Sequence, residues 1–180
     1  MSRVVIADYN PKWPTYFEEE REPLAEAFGP YALDIQHVGS TSVPGLGAKP
    51  IIDIAVATEQ YPLPDELVQR VVELGFEHVG EYGVPRRHYF RRGANGRYAV
   101  HVHALERTGQ EYVRHILFRD YLRAHSERTR AYEELKRHLA ETLGHDRHLY
   151  TDMKTDFVME TLRLAGEWQQ GRPHQVEQPG

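Results

Sequence analysis

The sequence predicts an α+β fold in a single domain: a β-sheet built early in the chain and a layer of helices that closes the C-terminal end. Three observations predict it. Short apolar or alternating runs, the pattern of buried and half-buried strands, fall between Leu33 and Leu105. Beyond Thr108 the apolar residues recur instead at three- and four-residue spacing, the period of a helix with one buried face. No internal repeat and no linker divides the chain. Its 180 residues, 40% hydrophobic and 27% charged, are therefore enough to share one core. Strands first and mostly helices last is the order of an α+β domain.

Taken in order, Trp13, Tyr16, Phe17, Leu24 and Phe28 follow a helical period over residues 13–28. A break is expected at Pro23, which cannot donate the ladder hydrogen bond. Residues 33–38 alternate as a strand, and residues 39–48 are rich in turn formers. Lys49 precedes Pro50 and is biased to extended backbone. Residues 51–56 are almost continuously apolar apart from Asp53, the mark of a central strand. Residues 64–74 read as a helix stopped by Gly75. Residues 76–79, 88–92 and 98–105 read as strands, the last two joined by a hairpin at 93–96, where Asn95 and Gly96 tolerate positive φ. Thr108 and Glu111 have the spacing of a capping box. It opens a helix expected to bury Tyr112, Val113, Ile116, Leu117, Tyr121 and Leu122. Tyr132, Leu135, Leu139 and Leu143 mark the next helix, ended by Gly144, and a last helix covers about 151–168. The domain is thus placed at 1–168, with a polar tail at 169–180 expected to fray.

Composition excludes several classes. No stretch approaches the ~18 consecutive apolar residues of a membrane span. The apolar run within residues 1–8 is too short for a secretory signal and is interrupted by Asp8. Without cysteine there is no disulfide framework, thiolate zinc site or thiol nucleophile, so a metal here must be held by His, Asp or Glu. These features point to the cytoplasm. A net charge of −5 argues against a surface wholly given to nucleic acid. The charge is uneven, however. From Tyr82 to Leu105 there is no Asp or Glu, yet Arg86, Arg87, Arg91, Arg92 and Arg97 accompany His88, His101 and His103. Such a segment attracts phosphates or carboxylates, unless its arginines find partners elsewhere in the fold.

Three groups of residues carry candidate chemistry. Gly39 lets backbone approach a ligand, and Ser40, Thr41 and Ser42 offer hydroxyl and N–H groups, as a phosphate cradle requires. Asp53 lies in an apolar strand, where a carboxylate is costly unless it is paired or holds a cation. His101 and His103 share one strand face, Cα atoms ~6.5–7 Å apart. That arrangement gives a metal two imidazoles with Asp53 as a third ligand, or else two hydrogen-bonded, substrate-facing histidines. Tyr150 and Lys154 open the last helix; Lys154 either meets an anion or pairs with Asp152 or Asp156. Arg119 and Asp120 read as a structural ion pair. His115, His125, His138, His145 and His148 read as solvated.

Taken together, His37 through Leu46, Ala48 through Ile54, His101-Val102-His103, Phe118 through Leu122, and Tyr150 with Lys154 and Phe157 resemble the GrpB-like family of the nucleotidyltransferase superfamily. The resemblance spans about 30–165. It implies a mixed β-sheet flanked by helices, with Gly39-Ser40 at a phosphate-binding turn. In the superfamily a pair of carboxylates on the next strand and a third on a later strand bind two Mg²⁺ ions. Here Asp53 matches the first, but Ala55 stands where the second would be, and the later strand brings His101 and His103. Mg²⁺ prefers oxygen ligands, whereas an Asp/His/His set suits Zn²⁺, Mn²⁺, Fe²⁺ or Ni²⁺.

The resemblance therefore implies an enzyme acting on a phosphorylated or anionic small molecule. Asp53, His101 and His103 would be catalytic and would hold one divalent metal ion, Mg²⁺, Mn²⁺ or Zn²⁺. Gly39, Ser40, Thr41 and Ser42 would cradle a phosphate. Lys49, Arg86, Arg87, Arg91, Tyr150 and Lys154 would complete the substrate side. A second reading is a non-catalytic nucleotide- or anion-binding accessory module, since the family's domain is sometimes fused to dephospho-CoA kinase. A third is RNA binding, with Tyr89, Phe90 and Tyr98 stacking on bases between the arginines.

Overall fold

The structure is a computed structural model that describes residues 4–171. Five strands form one sheet: β1 (Asp34–Val38), β2 (Ile51–Thr58), β3 (Glu77–Gly80), β4 (Arg87–Arg92) and β5 (Ala99–Glu106). Their order is β1-β2-β5-β4-β3. β2 and β5 run parallel, and the other neighbours are antiparallel, so the sheet is mixed. α1 (Trp13–Phe28) and α2 (Asp65–Glu73) precede β3 in the chain. α3 (Gln110–Ala124), α4 (Ser126–Leu143), α5 (Arg147–Asp152) and α6 (Thr155–Gln170) follow the last strand. None of the described helices is long and apolar enough to cross a membrane.

Strand alternation divides the interior in two. Ile52, Ile54 and Val56 of β2, with Val100 and Val102 of β5, pack against Trp13, Phe17, Leu24 and Phe28 of α1 and Leu67 and Val71 of α2. The residues between them in sequence point the other way. Ala55 and Ala57 of β2 and Leu105 of β5 cluster with Tyr112 of α3. Asp53, His101 and His103 share that second parity. β2 is nearly all apolar because both of its faces are covered.

Five local features differ from the sequence expectation. α1 continues through Pro23 without a break. Trp13 and Phe17 before it, and Leu24 and Phe28 after it, anchor both halves to one core, which offsets the missing N–H. The capping box does not form. α3 starts at Gln110 with Gly109 as its N-cap and no side-chain cap, and Glu111 instead pairs with Arg114 at 2.7 Å. Gly109 turns tightly off β5, where a Cβ would stand 2.9 Å from the Glu106 carbonyl oxygen. Val113 is exposed. The last helix is divided into α5 and α6. Asp146 caps α5 by accepting from the N–H groups of His148 and Leu149, both at 3.0 Å, which starts that helix before Thr151. Of the expected tail, Gln169 and Gln170 belong to α6, and residues 172–180 lie outside the described residues.

Candidate functional site

The second face of the sheet opens into a pocket of about 440 Å³ between β2, β5, the turn after β1 and the C-terminal helices. Register builds its floor. Parallel pairing sets Asp53 beside His101 and Ala55 beside His103. Asp53 Oδ1 lies 3.4 Å from His101 Nδ1 and 3.6 Å from His103 Nε2. Burial alone would push the Asp53 carboxyl up, but the hydrogen bonding and charge of His101 and His103 outweigh it and hold it well below the usual range. Asp53 is the one acid among the pocket's lining residues. Among the described residues, no group of three His, Asp or Glu side chains is disposed to hold a metal ion.

The turn above Asp53 explains Gly39. Its φ is +70°, and a Cβ there would come within 2.5 Å of Asp53 Oδ2. Only glycine lets the turn close over the carboxylate. The three hydroxyls that follow have separate uses. Thr41 Oγ1 donates to the Ile51 carbonyl at 2.8 Å and accepts from His37 Nε2 at 3.0 Å. Ser42 Oγ donates to the Gly39 carbonyl at 2.6 Å, and Ser42 lines a different cavity. Ser40 alone keeps its hydroxyl among the pocket's polar groups, accepting from Lys136 Nζ at 3.1 Å.

The walls are cationic. Lys136 of α4 also donates to the Gly47 carbonyl at 2.5 Å, and its ammonium lies 4.7 Å from the centre of the Tyr132 ring. Burial pulls its pKa down to about 7, with Lys154, Arg137 and Lys49 adding repulsion and Glu133 opposing it. Lys154, between α5 and α6, lies 4.4 Å from the Tyr150 ring centre. Burial and the charge of Lys49 pull it down to about 8, against the attraction of Asp53. The Lys49 ammonium is 5.1 Å from the same ring. Tyr150 Oη, deeply buried here, is the one buried side-chain polar atom without a hydrogen-bond partner among the described residues.

The structure thus brings Gly39, Ser40, Thr41, Lys49, Asp53, His101, His103, Tyr150 and Lys154 to one pocket. It leaves Ser42, Arg86 and Arg91 out. Arg86 pairs with Glu106 and Arg91 with Glu77, each at 2.7 Å. Arg87 is buried behind the pocket, its Nη1 3.2 Å from His103 Nδ1. Tyr89, Phe90 and Tyr98 are core residues, which removes the stacking surface that RNA would need. Arg119 forms the expected pair with Asp120 at 2.7 Å.

Two lining residues escaped the sequence reading. Lys136 sits four residues after Tyr132 and three before Leu139, on the buried stripe of α4, and a lysine on an apolar stripe is a readable signal. His115 is not solvated. Its ring lies 4.9 Å from that of His103, and burial pulls its pKa down to about 3. His125 likewise stacks on Tyr121, ring centres 3.8 Å apart.

A family model described as GrpB protein matches residues 3–164, a span that includes every pocket residue. The chain belongs to the GrpB family. It is 37% identical over 170 residues to the UPF0157 protein YqkA of Bacillus subtilis, covering 94% of this chain. The GrpB chain spans about half, 49%, of the length of that relative. The crystal structure of the conserved protein GrpB from Enterococcus faecalis superposes with a TM-score of 0.85 at 35% identity, covering 92% of this chain and 99% of the other. A more distant relative, 26% identical over 185 residues, is a dephospho-CoA kinase of Mycolicibacterium paratuberculosis. The match covers 88% of this GrpB chain and 45% of the kinase.

Proposed function

We propose that this GrpB chain binds the phosphate group of a small molecule of the nucleotide class and acts on it as a nucleotidyltransferase-type enzyme. One observation carries the reading. Lys49, Lys136 and Lys154 converge on a pocket whose only acidic lining residue is Asp53. Desolvated ammonium groups that repel one another are stabilised by a multiply charged anion, and a phosphate supplies both charge and acceptor oxygens.

Each group then has a task. Lys136 and Lys154 neutralise phosphate oxygens, and Lys49 adds charge at the pocket wall. The Gly39-Ser40 turn lets those oxygens come close to the backbone. The Tyr150 hydroxyl, lacking a partner, donates to one of them. Asp53, held ionised, accepts from the acceptor's hydroxyl and orients it at the α-phosphorus, so that the new O–P bond forms as the bond to pyrophosphate breaks and the hydroxyl proton leaves to solvent. Titration calorimetry with inorganic phosphate, ATP, GTP and CoA-type ligands, with and without Mg²⁺ or Mn²⁺, tests binding. Product analysis with the same ligands tests turnover. Saturable binding weakened about tenfold or more by Lys154→Met supports the reading. No binding of any phosphorylated ligand under any of these conditions overturns it.

A second reading is a nucleotide- or anion-binding accessory module. Two observations favour it. Ala55, fully buried beside His103, leaves no second carboxylate on β2, and the related segment makes up less than half of the dephospho-CoA kinase named above. Binding of ATP or a CoA-type ligand with no consumption across a panel of acceptors would select the module.

A further inference from the structure

The two ring nitrogens of His103 face opposite kinds of neighbour. Nδ1 is 3.2 Å from Arg87 Nη1, and Nε2 is 3.6 Å from Asp53 Oδ1. A guanidinium donates hydrogen bonds and accepts none. The contact with Arg87 therefore requires a bare Nδ1. It also disfavours the doubly protonated ring, whose Nδ1–H would meet a second donor. The one proton left to His103 is on Nε2, aimed at Asp53. We propose that Arg87 locks His103 in the Nε2–H tautomer, so that Asp53, His101 and His103 form a close carboxylate–imidazole cluster and not a three-ligand metal centre.

Arg87 is well placed to impose this. Its Nε donates to the Glu81 carbonyl at 3.2 Å and its Nη2 to the Tyr82 carbonyl at 2.8 Å. Its guanidinium lies 4.9 Å from the centre of the Tyr89 ring. The loop that supplies both carbonyls carries two non-glycine residues at positive φ, Tyr82 at +45° and Arg86 at +61°. Such backbone is costly and persists only where its surroundings over-determine it. Here it wraps the chain around a buried cation.

Spacing alone would admit a metal. Two ligand atoms at ~2.0–2.1 Å from a tetrahedral ion stand about 3.3 Å apart, near the observed 3.4 and 3.6 Å. The obstacle is the proton. A histidine that binds metal through Nε2 donates its Nδ1–H to an acceptor, and Arg87 offers the opposite polarity. The donor set implied by the family resemblance does not fit at His103, and no step is routed through a metal here.

This proposal concerns protons and is independent of whether the pocket binds phosphate. It is tested on untagged protein labelled with ¹⁵N at histidine. Long-range ¹H–¹⁵N correlation should show Nδ1 of His103 bare and Nε2 protonated. Arg87→Gln replaces the donor with a side chain whose carbonyl can accept, so the Nδ1–H form should appear. Zn²⁺ affinity measured by calorimetry should then rise at least tenfold over the parent, and Asp53→Asn should remove the gain. Arg87→Lys still offers only donors and should keep the parental tautomer and metal affinity. A protonated Nδ1 in the parent overturns the proposal. So does stoichiometric Zn²⁺ binding by the parent, as tight as by Arg87→Gln and lost in Asp53→Asn. If Arg87→Gln fails to fold, the parental tautomer and Arg87→Lys decide the matter. A phosphate titration on the same samples reports separately on the function proposed above.

Discussion

Two regions of this molecule are rich in positive charge, and they behave differently. The arginines around the β4–β5 hairpin are the denser group in the sequence. In the fold four of the five meet a glutamate: Arg86 meets Glu106, Arg91 meets Glu77, Arg92 meets Glu20 at 2.5 Å, and Arg97 lies 3.8 Å from Glu19, while Arg87 is spent on two backbone carbonyls and His103. The lysines of the pocket are scattered through the chain, yet converge around a single carboxylate. Lys136 is held by a carbonyl, a hydroxyl and an aromatic face, and Lys154 by the Tyr150 ring. The proposed anion site thus follows from where folding brings cations together, not from the number of cations in a stretch of sequence.

The sharpest way to break that contrast is to remove the lysines. Lys136→Met with Lys154→Met should weaken phosphate binding by about a hundredfold in calorimetry, roughly tenfold for each lysine. The paired change Arg86→Gln and Arg91→Gln should leave binding within about twofold. It should barely move the melting temperature, because exposed ion pairs contribute little. Equal losses in both variants would erase the distinction.

Gly39→Ala comes next. It forces a Cβ onto Asp53 Oδ2 in a backbone region that costs an L-residue about 1–3 kcal/mol. Urea denaturation should show a loss of at least that size, and phosphate affinity should fall with it.

The pH response sharpens the lysine side. Lys136 and Lys154 have folded pKa values of about 7 and 8, below the ordinary lysine value near 10.5. A bound phosphate favours their charged forms, so affinity should fall as pH rises above about 7–8. Between about 7 and 10, binding should then take up protons, seen as a buffer-dependent heat. Without ligand the sign reverses for stability. Between about 7 and 10 the unfolded chain binds more protons at these lysines than the folded one does. Their contribution should therefore stabilise the fold progressively as pH rises through that window. Denaturation at pH 6.5 and 9 checks the direction.

The smallest effect belongs to Tyr150→Phe. It removes a buried hydroxyl that has no partner. The free protein should be unchanged or more stable by up to about 1 kcal/mol, while phosphate binding weakens a few-fold. Destabilisation of the free protein would show that the hydroxyl serves the fold.

Much of the architecture is legible in local pattern. The alternation of β1, the continuous apolar run of β2 and the helical stripes of α2 and α4 follow from residue periodicity alone. Asp53 stands out because a carboxylate in an oily strand needs a reason. His101 and His103 stand out because their spacing commits them to one face. Arg86 and Arg91 mislead because their glutamates come from neighbouring strands, Glu106 on β5 and Glu77, the register partner of Arg91, on β3. The missed start of α5 ahead of Thr151 reflects Asp146, whose capping works through geometry and not through periodicity.

By itself the sequence determined the strands and most of the helices, and the parity that sends Asp53, His101 and His103 to one side of their strands. Only the tertiary structure decided that Lys136, distant in sequence from the turn, donates to Ser40 and Gly47, and that Arg87 sits behind His103. The physical reason is range. Periodicity and turn chemistry act between neighbours, whereas the charge and proton state of a buried group depend on whichever residues the packed sheet and helices set against it.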